Sequence, residues 1–271
     1  FLMFGKLLKY DFRSMLKQFA FIWPAALVLA LVNRFTVNSF VTSASGLRQT
    51  VSGVAMLVYV GIMIAMFVVT MIFVIQRFFR GLLGDEGYLM HTLPVRPWEL
   101  IGSKLLCAVV TTLLSIVVAI LSILLIMPIS WINILDMFKG FSYLFSHWNM
   151  ELTHSVLFLL EFLLLICLGM ANGYLHLYLS MAIGHLFNRN RVAMSVVAYI
   201  AINALVGILI GILGNMGLRH LNIPYDLINF ENSPTAAIHL SFWISILIAL
   251  AGDAVYFFCT EYILRKRLNL E

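Results

Sequence analysis

The sequence predicts an all-α integral membrane protein: six transmembrane helices, an N-terminal interfacial amphipathic helix, and a cytoplasmic helix in the loop between helices two and three. Three observations carry this. Of the 271 residues, 62% are hydrophobic and only 11% charged, whereas an ordinary soluble domain is about a quarter charged. The mean hydropathy is +1.01. The apolar residues fall in long unbroken runs, and runs of about 18 or more read as membrane spans.

The elements follow in chain order as a single membrane domain, 1–271. Residues 3–18 are amphipathic. Phe4, Leu7, Leu8, Phe12, Met15, Leu16 and Phe19 take one helical face, and Lys6, Lys9, Arg13 and Lys17 the other. That pattern suits a helix lying in the membrane interface with its cations toward anionic headgroups. The spans are expected at 19–37, 51–75, 105–130, 153–180, 193–215 and 238–262. The second is the clearest, since Val51 to Ile75 holds no charge. The first is the shortest, bracketed by Lys17 and Arg34. Crossing about 30 Å of hydrocarbon takes roughly 20 helical residues. Strands of a membrane barrel run about 10 residues and alternate in polarity, so these runs exclude a barrel. The segment 131–152, with Trp131, Phe138, Phe141, Phe145 and Trp148, is expected to bed in the outer headgroups. The segment 216–237, with Pro224 and Pro234, reads as an irregular outer cap.

Lysine and arginine set the orientation. With the N-terminus inside, the inner segments hold Lys6, Lys9, Arg13, Lys17, Arg77, Arg80, Arg96, Lys104, Arg189, Arg191, Arg265, Lys266 and Arg267. The outer segments hold only Arg34, Arg48, Lys139 and Arg219. Both termini are therefore expected in the cytoplasm, and the protein in the plasma membrane. The net charge of +5 is this topological bias, and no nucleic-acid partner is expected. The three cysteines lie inside predicted helices, so no disulfide framework is expected.

The loop 76–104 is polar, glycine-punctuated and long. Pro94 and Pro97 break the chain, and Pro97 followed by Glu99 suits the start of a new helix running into the third span. Gly81, Gly84 and Gly87 recur every third residue without the spacing or preceding strand of a nucleotide-binding loop. Asp85 and Glu86 stand out on a basic inner face and are suited to pair with cations of a partner.

Within the spans, Glu161 and Asp253 are candidates for a transport path or gate, because an intramembrane charge is costly unless used or paired. His176, Asn172 and Asn203 read as interhelical hydrogen-bonding groups. Gly169–Gly173 and Gly207–Gly211 have the spacing that permits close helix contact, expected chiefly within the chain. His147, Glu151 and His154 share a helical face, but their spacing is weak evidence for a metal, and no metal site is assigned. No catalytic set is visible.

The run Gly84-Asp85-Glu86-Gly87-Tyr88-Leu89, then Thr92-Leu93-Pro94-Val95 and Ser103-Lys104-Leu105-Leu106, resembles the small ABC-2 type permeases of ABC exporters, especially Gram-positive ones. The start Phe4-Gly5-Lys6-Leu7-Leu8-Lys9-Tyr10-Asp11-Phe12 looks like their N-terminal interfacial helix. The resemblance extends over the chain in topology. It implies that the first cytoplasmic loop carries a coupling helix seated in an ATPase groove. That role would fall on Phe79, Leu82, Leu83, Gly84, Asp85, Glu86, Gly87, Tyr88 and Leu89. The chain has no Walker-type lysine loop, so no cofactor is expected to bind it directly, and ATP and magnesium are expected in separate ATPase subunits. A second permease, identical or related, would complete the pathway. The implied activity is export of an amphipathic peptide, antimicrobial or lipid-like compound. The rival expectation is an ion-coupled secondary transporter using Glu161 or Asp253.

Overall fold

A computed structural model describes residues 2–42, 46–84, 96–126, 152–187, 190–220 and 234–266. These residues form six long helices: α1 (Leu2–Thr42), α2 (Gly46–Phe78), α3 (Pro97–Ile126), α4 (Leu152–Gly184), α5 (Arg191–His220) and α6 (Pro234–Lys266). Each contributes to a segment long and apolar enough to cross a membrane: Phe4–Phe35, Gly53–Leu83 (which runs five residues past the end of α2), Pro97–Ile126, Val156–Gly184, Arg191–Ile212 and Ile238–Lys266. The shortest, 22 residues, is about 33 Å long at 1.5 Å per residue, enough for the hydrocarbon layer. Large apolar side chains such as Phe21, Leu57, Ile208, Ile248 and Phe258 are exposed. A lipid solvent accepts such a surface, and helices satisfy their own backbone groups within it. The protein is a multi-pass α-helical membrane protein.

The expected join between interfacial helix and first span, near residue 18, is not a break. Both belong to the single 41-residue α1. Its length of about 60 Å exceeds the hydrocarbon thickness roughly twofold, so part of it must lie outside that layer. Pro24 sits inside this helix and removes one backbone donor.

The chain divides into two compact units, Phe1–Phe78 with Gly102–Lys139, and Phe79–Ile101 with Gly140–Glu271. In the first unit α1 and α2 run antiparallel. Phe19 meets Phe73 edge-on at 5.7 Å, while Ala26 packs with Met66 and Ala119, and Ala30 with Tyr59 and Ile126. Alanine at these crossings lets the helix axes approach closely. Hydroxyl groups tie the same helices together. Trp23 Nε1 donates to Ser115 Oγ at 3.1 Å, and Tyr59 and Ser122 share a 2.7 Å hydrogen bond. In hydrocarbon such polar pairs replace the hydrophobic drive that packs helices in water.

In the second unit α4 and α6 run parallel, as their paired positions show. His154 faces His239, Phe158 faces Phe242, Asn172 faces Asp253 and His176 faces Tyr256. Helix α5 runs antiparallel to α4, with His176 stacked on Tyr199 at 4.5 Å and Gly184 against Ser195. A β-carbon at Gly184 would lie 2.5 Å from the Ser195 nitrogen and 2.6 Å from its Cα, so this crossing requires glycine. Asn190 enters α5 with φ of 56°, a left-handed conformation that asparagine tolerates. The other glycine pairs behave differently. A β-carbon at Gly169, Gly173, Gly207 or Gly211 would meet nothing within 4 Å. Among the described residues the expected close packing of these four is not found, and they are exposed.

Candidate functional site

The loop that the sequence singles out begins on a defined structure. Helix α2 continues past Phe78 as a π-helical turn, Phe79–Leu83, with Gly81, Leu82 and Leu83 buried. The Gly84 N–H donates to the Phe79 carbonyl at 2.7 Å, five residues back. Such a turn widens the helix by one residue and is common at functional sites. Phe79 rests edge-on against His185 at 5.0 Å, at the end of α4. His185 is buried. Burial pushes its imidazole below the usual range and the Arg191 charge adds to this, while backbone carbonyls of Met181 and Leu83 act the other way. Of the proposed coupling residues, Phe79, Leu82, Leu83 and Gly84 thus belong to a packed turn, with Leu82 and Leu83 facing the protein. Asp85, Glu86, Gly87, Tyr88 and Leu89 lie outside the described residues.

The far end of the loop is capped as expected. Helix α3 begins at Pro97. The Glu99 N–H donates to the Arg96 carbonyl at 2.9 Å, and the Arg96 N–H donates to Glu99 Oε2 at 3.4 Å. The glutamate reaching back to the capping residue is half of a capping box, and its charge complements the helix dipole.

The first unit holds a charged cluster that the sequence reading missed. Asp11 of α1 is 2% exposed. Arg77 Nε of α2 donates to its Oδ1 at 3.2 Å, with a second, shorter bond from the same guanidinium. Ser103 Oγ donates to Oδ2 at 3.2 Å, and Lys104 Nζ lies 3.8 Å from Oδ1. One carboxylate thus holds together α1, α2 and α3. A single sequence gives little hint of it, because Asp11 sits unremarkably within a charged amphipathic stretch.

Both acids singled out in the sequence, Glu161 and Asp253, are paired. Asp253 is buried and accepts a 2.9 Å hydrogen bond from Asn172 Nδ2. Asn172 is thus an interhelical hydrogen-bonding group as expected, His176 meets Tyr199 and Tyr256 through ring contacts, and Asn203 is exposed and donates to the Tyr199 carbonyl of its own helix. Glu161, also buried, shares a 2.7 Å hydrogen bond with His239 Nδ1. His239 carried no signal in the sequence, since its partner lies 78 positions away. Phe158, Phe162 and Phe242 cluster on the same seam, with Phe158 three residues before Glu161 and Phe162 directly after it. The two acids are thus separate sites on the α4–α6 seam: they lie 11 residues apart on α4 by their α4 positions, about 16 Å. Among the described residues, no three histidine, cysteine or acidic side chains converge as metal ligands. His147 and Glu151 lie outside the described residues. All three cysteines are free.

No family model, curated protein or solved structure matches this chain.

Proposed function

We propose that this chain is the membrane-spanning permease of an ATP-driven exporter, coupled through its 79–90 loop to a separate ATPase subunit. The observation that carries the reading is the construction of that loop's two ends. A buried π-turn fixes its start, and a proline-led, glutamate-capped helix fixes its finish. A segment held at both ends transmits a push from a soluble motor into the helices, whereas a slack connector absorbs it. The packing of Phe79 on His185 gives that push a route into α4. Two permease chains and two ATPases would form the working assembly. Binding of ATP would draw the motors together, and the helix bundles would switch exposure. The cargo would be an amphipathic peptide, antimicrobial or lipid-like compound, taken from the membrane or its inner face. The inside-positive charge bias supports a cytoplasmic position for the loop and both termini.

The test is recovery of an ATPase with tagged permease. The double change Asp85→Lys and Glu86→Lys sets like charges against a basic motor groove, at a cost of about 2–5 kcal/mol. That weakens assembly more than tenfold. Insertion should be unchanged, because added lysines reinforce the inside-positive bias. An ATPase that still copurifies at full stoichiometry, with hydrolysis coupled to cargo, would remove these acids from the docking role. Transport in liposomes without any ATPase would overturn the exporter reading and favour ion coupling.

A further inference from the structure

The end of the second unit where α4 and α6 begin holds an arrangement that the exporter reading does not use. His239 Nδ1 is bonded to Glu161 Oε2 at 2.7 Å. With Glu161 ionised, Nδ1 carries the proton and Nε2 keeps its lone pair. Among the described residues that Nε2 is buried without a hydrogen-bond partner, and so is Nδ1 of His154. The two rings lie 5.5 Å apart between centroids, tilted by 42°. Buried polar atoms are nearly always satisfied, and two unsatisfied imidazole nitrogens on neighbouring rings call for a common ligand.

We propose that His154 and His239 bind a first-row divalent transition-metal ion, of the zinc class, with Glu161 as the positioning residue. The chemistry of the donors selects the ion. Imidazole suits zinc, copper, nickel and cobalt, while calcium and magnesium require oxygen ligands. Glu161 accepting from the far nitrogen of His239 is the outer carboxylate commonly found behind a metal-bound histidine, where it fixes the tautomer and raises basicity. The spacing agrees. With metal–nitrogen bonds of about 2.0–2.1 Å and a tetrahedral angle, two imidazoles on one ion place their centroids about 5.2 Å apart. The two histidines come from different helices, so an ion would join the starts of α4 and α6. They supply two ligands, and water or a small anion fills the remaining positions. The nearest other acid on these helices, Asp253, is 14 residues beyond His239, about 21 Å along α6, and competes for nothing here. The inference is independent of any ATPase partner.

The experiment uses the full chain, purified in detergent without a polyhistidine tag and stripped with chelator. Zinc binding is read by titration calorimetry, and cobalt binding by its visible absorption, which reports nitrogen ligation directly. One ion per chain is expected. His154→Gln and His239→Gln, which keep size and polarity, should each abolish the cobalt spectrum or weaken binding more than Glu161→Ala does. Glu161→Ala should weaken it about 10–100-fold, and Glu161→Gln, which retains an acceptor for the Nδ1 proton, should restore part of that loss. Asp253→Asn and His176→Gln should leave binding unchanged. Elution volume in gel filtration verifies that each variant is folded. Absence of binding in the folded wild-type chain overturns the proposal. So does equal binding by the folded His154→Gln and His239→Gln variants, or a loss confined to the Asp253 or His176 changes.

Discussion

Replacing Asp11 by asparagine should be among the most damaging single changes in the first unit. The carboxylate is buried, meets Arg77 through two nitrogens, accepts from Ser103 and lies 3.8 Å from Lys104. Asparagine keeps the shape and removes the charge. At an effective dielectric of about 20, one pair near 4 Å is worth about 4 kcal/mol. Removing one partner of a buried pair costs about 3–5 kcal/mol, because the opposing charge stays behind in a poor solvent. Here two cations, Arg77 and Lys104, lose this carboxylate and repel each other. The expected loss is therefore about 3–5 kcal/mol, read by denaturant unfolding of the purified chain in detergent micelles. The double variant Asp11→Asn with Lys104→Met should recover part of it, because the repulsion is relieved. A cycle of the two changes should give a coupling of about 0.5–3 kcal/mol. If Asp11→Asn unfolds within about 1 kcal/mol of the parent chain, the cluster does not hold the three helices together and the reasoning fails.

Two further outcomes are expected. Gly184→Ala should destabilise by about 1–3 kcal/mol, since the new β-carbon meets the Ser195 backbone at 2.5–2.6 Å and neither helix can yield without the other. Gly207→Ala, open to 4 Å, should be neutral in the isolated chain, and equal losses at both positions would contradict the close crossing. For His185, the folded-state pKa lies below the unfolded value of about 6.5. The folded chain then binds fewer protons, so this contribution is complete above about pH 6.5. It is lost as pH falls through the folded pKa, at up to about 1.4 kcal/mol per pH unit between the two values. Unfolding measured from pH 5 to 8 should show that slope in the parent chain and a shallower one in His185→Phe; identical slopes would mean that another group titrates.

The sequence by itself determined the solvent that the described helices suit and how many of them are long and apolar enough to cross it. Burial in hydrocarbon is a property summed over 18 or more residues, and a run such as Val51 to Ile75 admits no other element. Helix starts written in local chemistry were legible too. Pro97 and Glu99 announced α3, because capping needs only neighbours three residues apart. Of the proposed coupling stretch, the sequence named Leu82 and Leu83 but not that they would be buried in a π-turn. Tertiary structure alone decided the pairings: Asp11 with Arg77, Glu161 with His239, Asn172 with Asp253. It also decided that α4 and α6 share one seam, and that Gly184 rather than Gly169 or Gly207 sits at a close crossing. The physical reason lies in the solvent. In water, an apolar stripe marks the face that packs. In lipid, every face is apolar, so periodicity loses that meaning. Packing then rests on a few small residues and polar pairs whose partners lie 66, 78 or 81 positions away, and no local pattern records which will meet.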